Sequence, residues 1–117
     1  MVKINRNLIF IIPTEACLAW ARKIYPETPA VIRNQPAHEF GKAFLILEYD
    51  SYDEVMRWME KGWEKWFDTM LADWVKNESL WPKNRSWEMF NEYFEVVWQP
   101  RVEDTMPIPI KKKEESE

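Results

Sequence analysis

Polar and apolar positions repeat most regularly over residues 51–76, S-Y-D-E-V-M-R-W-M-E-K-G-W-E-K-W-F-D-T-M-L-A-D-W-V-K. On a wheel at about 100° per residue, Val55, Met56, Met59, Trp63, Trp66, Phe67, Met70, Leu71 and Trp74 share an arc of roughly 160°. That spacing predicts one long helix with a wide buried face. Its start is marked by Ser51 and Glu54, a capping box in which the serine accepts from the third helical N–H. The opposite face sets Arg57, Lys61 and Lys65 beside Glu60, Glu64 and Asp68, so each base has an acid three places on. Such i,i+3 pairs describe a solvated face. Three residues break the pattern. Trp58 falls outside the apolar arc, Asp73 sits at its edge, and Gly62 lies mid-helix, where glycine costs about 1 kcal/mol against alanine and marks a bend or a close contact.

The rest of the chain reads as elements that cover this helix. Residues 8–12, Leu-Ile-Phe-Ile-Ile, form a short β-branched run stopped by Pro13. Because both alternating faces are apolar, the strand is expected to be central or covered on both sides. Thr14 is placed as an N-cap and Glu15 in the first turn of a helix to about Tyr25, with Cys17, Trp20 and Ile24 on one face and Pro26 as its stop. Residues 26–41 carry three prolines and a glycine and read as a long loop, with Ala30, Val31 and Ile32 as a short extended piece. Residues 43–49 form a second strand. With the intervening helix this suggests a β-α-β unit and a parallel pair.

Beyond the long helix, Trp81-Pro82 stops helical structure, with Leu80 and Trp81 expected under the sheet edge. Ser86 caps a short helix in which Trp87, Phe90 and Phe94 recur at helical spacing, and residues 96–99 form a third strand closed by Pro100. Residues 102–106 extend or cover an edge. The order β-α-β-α-α-β defines a small two-layer α/β (α+β) sandwich, a three-stranded sheet packed against one long helix and shorter helices. The direction of the third strand is left open. One domain is expected over residues 1–106, followed by a disordered polar tail at 107–117, P-I-P-I-K-K-K-E-E-S-E.

Composition narrows the function classes. The net charge of −4 points away from a general nucleic-acid binder. No apolar run approaches the roughly 18 residues of a membrane helix, and residues 1–12 do not read as a signal peptide. One cysteine allows no internal disulfide and fits a reducing cytoplasm. There are two glycines and eight tryptophans, the latter concentrated in the second half of the chain. The excess suits a tryptophan-rich core first, and an aromatic docking surface second.

Asn5-Arg6, Pro13, Trp20, the series Trp63, Phe67, Leu71 and Trp74, the motif Leu80-Trp81-Pro82, and the run from Phe90-Asn91-Glu92-Tyr93-Phe94 to Val102 with Asp104 resemble a family of short, tryptophan-rich bacterial proteins of unknown function. The resemblance spans most of residues 5–105. It implies a bacterial origin and a cytosolic location, and it supplies no activity and no catalytic residues.

Candidate chemistry is sparse. Single copies of Cys17 and His38 allow no zinc spacing, and their types suit a buried cysteine and a surface histidine better than a catalytic dyad. No nucleophile triad, phosphate-binding loop or dinucleotide fingerprint occurs, so no catalytic residue, metal site or cofactor is expected. The acidic turn of Glu48, Asp50, Asp53 and Glu54 follows a strand and opens a helix, where open α/β sheets place ligands. With Asp73 these carboxylates are the candidate ligand-binding set, although acids at a helix start also serve the dipole. Asp73 is expected to pair with Lys76, Arg85 or a backbone N–H. Trp58 and Trp98 are the candidate partner-binding residues. The expectation is a non-enzymatic interaction or regulatory protein with a protein partner or a second copy of itself, and no nucleic-acid or membrane partner. The alternative is a small-ligand or metal-binding domain, weakly hydrolytic at most, built on turn 48–54.

Overall fold

A computed structural model describes residues 1–25 and 37–114. Strand β1 spans Val2–Lys3, β2 Asn7–Pro13, helix α1 Glu15–Ile24, a 3-10 turn Ala37–Phe40, and β3 Lys42–Ile46. Helices α2, Tyr52–Lys61, and α3, Trp63–Trp74, follow, then a 3-10 turn at Glu78–Leu80, α4 at Trp87–Tyr93, β4 at Phe94–Gln99 and β5 at Glu103–Asp104. The proline-rich residues 26–36, including the expected extended piece at 30–32, lie outside the described residues.

The main sheet has the order β3-β2-β4, so the apolar strand takes the central one of its two expected places. Both of its neighbours are antiparallel to it. The expected parallel β-α-β crossover is therefore wrong. Lys42 pairs with Ile11, so β3 starts at the end of the sheet where β2 finishes. A helix of ten residues followed by a long connection can return to either end, and sequence spacing did not distinguish them. Near its start β3 passes close to β2. A Cβ on Gly41 would lie 2.8 Å from the Ile11 carbonyl and 2.7 Å from the Phe10 ring, so only glycine fits without a shift. Strands β1 and β5, unexpected from their two-residue length, form a separate antiparallel ribbon that ties Val2 to Asp104.

The core lies on one side of the sheet. Ile9 and Ile11 of β2, Ile46 of β3, and Phe94 and Val96 of β4 meet Cys17 and Trp20 of α1, Val55 and Met59 of α2, Phe67, Met70 and Leu71 of α3, and Phe90 of α4. Phe67 is the hub, with the rings of Phe90, Tyr93 and Phe94 at 5.6–6.0 Å and steep angles that suit edge-to-face contact. The other side of β2, Leu8, Phe10 and Ile12, takes no part in this cluster. The strand is central, and among the described residues helices cover one of its faces, not both.

The long helical stretch is two helices. Gly62 adopts φ −120° and ψ 31°, which interrupts the helix, and its N–H bonds back to the Met59 carbonyl at 3.0 Å. A Cβ on Gly62 would meet nothing within 4 Å, so the residue marks a bend and not a close contact. The wheel held across the break: its nine apolar residues are all buried or half-buried against the core. Ser51 caps α2 as expected, its Oγ accepting from the Glu54 N–H at 3.2 Å. Thr14 differs. Its hydroxyl makes no cap to α1 but donates to the Glu92 carbonyl, while its N–H donates to the Tyr93 carbonyl at 2.8 Å, joining the start of α1 to the end of α4. Trp81 is buried, with its indole N–H on the Val75 carbonyl at 2.8 Å, whereas Leu80 is 42% exposed and does not tuck under the sheet. The third strand starts at Phe94, directly from α4, two residues before the β-branched run announces it. Residues 105–114 are exposed and carry no regular helix or strand.

Candidate functional site

Among the described residues the buried polar side chain is Asn7, at the start of β2. Its carboxamide joins three segments. Oδ1 accepts from the Tyr49 N–H at 2.8 Å and from the Trp98 indole N–H at 3.1 Å, while Nδ2 donates to the Pro100 carbonyl at 3.2 Å. With its oxygen doubly used, Asn7 removes the cost of burying an amide and fixes the chain after β3 against the end of β4.

Tyr49, held in this way, sets an aromatic series. Its ring lies 5.6 Å from Trp58, Trp58 lies 5.5 Å edge-on to Trp66, and Trp66 lies 5.1 Å edge-on to Phe44 of β3. Trp58 thus does not stand free outside the apolar face. It is half-buried, an extension of the core toward the first turns of α2. Tyr49 and Trp58 also face a concave surface of about 790 Å³, lined in addition by Glu54, Arg57, Glu60 and Lys61. Helical spacing explains the set: residues 54, 57, 58 and 61 follow one another up one side of α2.

Charge distribution around this surface is notable for what it lacks. Among the described residues the ion pairs are Arg22 with Glu15, Lys42 with Asp73 and Arg85 with Asp68. None of the expected i,i+3 pairs on the long helix closes. Asp68 is drawn instead to Arg85, at 3.2 Å, whose guanidinium lies 5.3 Å from the Trp81 ring and 5.8 Å from Phe67. Arg57, Glu60 and Lys61 stand around the Tyr49–Trp58 floor without ion partners.

The sequence-derived ligand set does not converge. Glu48, Asp50 and Asp53 are exposed, and Glu54 alone of that turn reaches the concave surface. Glu54 Oε2 accepts from the Asp50 N–H at 3.3 Å, so its carboxylate serves the helix start. Asp73 is bound to Lys42 at 3.1 Å, not to Lys76, Arg85 or a backbone N–H, because β3 brings Lys42 beside the end of α3. Among the described residues no three His, Cys, Asp or Glu side chains are grouped to hold a metal ion. Cys17 is fully buried, and burial pushes its thiol up to about 12. His38 is exposed in the 3-10 turn before β3. Burial also raises the Tyr93 hydroxyl, helped by the charges of Cys17 and Glu92.

Trp98 shares the Asn7 Oδ1 acceptor with the Tyr49 N–H and does not line the concave surface. Sequence reasoning missed Asn7 and Tyr49. Asn7 stands just before the apolar run at 8–12 with no pattern of its own, and Tyr49 was visible only as the end of a strand. What gives them a role is the pairing of β2 with both neighbours.

These observations define a two-layer α+β protein with helices on one side of an antiparallel sheet and a shallow aromatic site beside α2. No protein-family model, curated protein or solved structure matches the chain. No helix among the described residues is long and apolar enough to cross a membrane.

Proposed function

We propose that this is a small, acidic, non-enzymatic interaction or regulatory protein of the bacterial cytoplasm, and that it engages a protein partner at the Tyr49–Trp58 surface. The observation that carries this reading is the combination of a packed aromatic floor with unpaired charges of both signs, Arg57, Glu60 and Lys61, around it. Tryptophan and tyrosine held by neighbours lose little freedom on docking and act as anchors, while a mixed-charge rim selects the partner and its orientation. Affinity capture from a bacterial host, with wild-type protein and Trp58→Ala side by side, tests it. The expected result is a partner retained by wild type and lost by at least about tenfold with Trp58→Ala. Equal retention by both would remove the surface from consideration.

A second reading is favoured by one observation, the presence of Glu54 from the acidic turn beside Tyr49 and Trp58. It makes the same surface a binding place for a small cationic or planar ligand. A thermal-shift screen over divalent cations and nucleotides is the test. A ligand at about 100 times its Kd adds roughly 2.7 kcal/mol, and no shift with any compound rejects the reading.

A further inference from the structure

Among the described residues, a second apolar surface, on the opposite side of the sheet from the helices, carries no covering helix. Leu8, Phe10 and Ile12 of β2 run along its middle, outside the core cluster. Leu45 of β3 pairs with Leu8 and is 50% exposed, and Val97 of β4 pairs with Phe10 and is 43% exposed. The same chain carries a matching strip. Met106, Ile108 and Ile110 are 61%, 65% and 65% exposed, and they alternate with Pro107 and Pro109.

We propose that a second copy of this chain covers the outer face of the sheet, with its residues Met106, Ile108 and Ile110 laid across Leu8, Phe10 and Ile12, and that the exchange is reciprocal. Three arguments select this occupant. The first is spacing: both strips place apolar residues at i, i+2 and i+4, which in extended chain recur about every 6.6 Å. The second is preorganisation. Each proline fixes its own φ and holds the residue before it extended, so residues 106–109 cannot turn helical and lose little entropy on docking. The third is area. Three strands about 4.8 Å apart and about 20 Å long offer roughly 300 Å², well short of the roughly 800 Å² per partner of a stable complex. Two such faces pressed together fall short, whereas reciprocal exchange buries both the face and the tail of each chain under one two-fold axis. The tail does not take this place on its own chain. It leaves from β5, where Met106 N–H is bonded to Asp104 Oδ1 at 2.9 Å, and residues 105–114 remain exposed.

This surface is separate from the Tyr49–Trp58 floor, so the test leaves that reading untouched. Sedimentation equilibrium of the full chain up to about 100 μM is expected to show a dimer, weakened at least about tenfold by Leu45→Asp and by Ile108→Asp with Ile110→Asp. These residues are exposed, so the variants keep the wild-type circular dichroism and melt with the wild type at dilutions where both are monomeric. Mixing the two variants restores one intact tail-on-face junction, and association recovers in part in the mixture. A wild-type chain that stays monomeric overturns the proposal, including when hydrogen exchange shows residues 106 and 108 protected on their own chain. So does a dimer indifferent to the tail substitutions.

Discussion

The central strand β2 presents two apolar faces of similar size and opposite fate. Ile9, Ile11 and Pro13 are buried under four helices, while Leu8, Phe10 and Ile12 on the other side are only partly shielded and lie outside the core cluster. Residue type does not separate them. The difference comes from connectivity: the helices α1 to α4 each carry one apolar stripe, and all turn it to the same side of the sheet. Hydrophobicity therefore drives burial only where the chain delivers a cover. A face left without one keeps the same tendency to exclude water and is available to a partner.

The sharpest way to break the contrast is to empty the covered side. Phe67→Ala removes a fully buried ring that touches three others, and it is expected to cost about 3–5 kcal/mol in denaturant unfolding. On β2 itself, Ile11→Ala should cost about 2–5 kcal/mol and Leu8→Ala on the other face under about 1 kcal/mol, measured at protein concentrations where the chain is monomeric. Equal costs would mean that the outer face is as well packed as the inner one.

Asn7→Ala probes the end of the sheet where the two sides meet. It leaves the Tyr49 N–H and the Trp98 indole N–H without their acceptor, at about 2 kcal/mol, with a change in tryptophan emission as Trp98 loosens. The two glycines give a smaller and signed comparison. Gly41→Ala forces a Cβ against the Ile11 carbonyl and the Phe10 ring and should destabilise by about 1–3 kcal/mol. Gly62→Ala meets open space at a φ any residue adopts and should be neutral or gain up to about 1 kcal/mol.

Cys17 adds a pH dependence on the covered side that is silent at neutral pH and appears only in strong alkali. Its folded value of about 12 stands above the unfolded 9.0, so folding favours the neutral thiol. Below 9.0 both states hold the proton and the contribution is fully present. As pH rises from 9.0 toward about 12 the unfolded thiol ionises first, and stability falls. Cys17→Ala should flatten that part of the stability profile, and native Cys17 should react with thiol reagents only as fast as the protein opens.

Much of the fold was legible because its signals are local. The β-branched run before Pro13, the Ser51 cap and the nine-residue apolar arc each depend on residues within a few turns of one another. Gly62 was visible as an anomaly, although whether it bent the helix or made a close contact depended on what lay beside it. The site was far less legible. Its anchor, Asn7, reaches Trp98 across 91 residues and Tyr49 across 42, and no periodicity encodes such a distance. Asp73 found Lys42 and Asp68 found Arg85 for the same reason, while nearer partners in sequence stayed in water.

Composition and spacing alone determined the α+β class, the two apolar faces of the first long strand and the apolar face of the 51–76 stretch. These follow from side-chain size, chirality and backbone geometry acting over a few residues. Tertiary structure decided the antiparallel direction of both neighbouring strands, the choice of ion partners, and the single face of the sheet that the helices cover. Those outcomes depend on where a connection returns the chain, because local preferences satisfy more than one closure of the same elements and long-range contacts select among them.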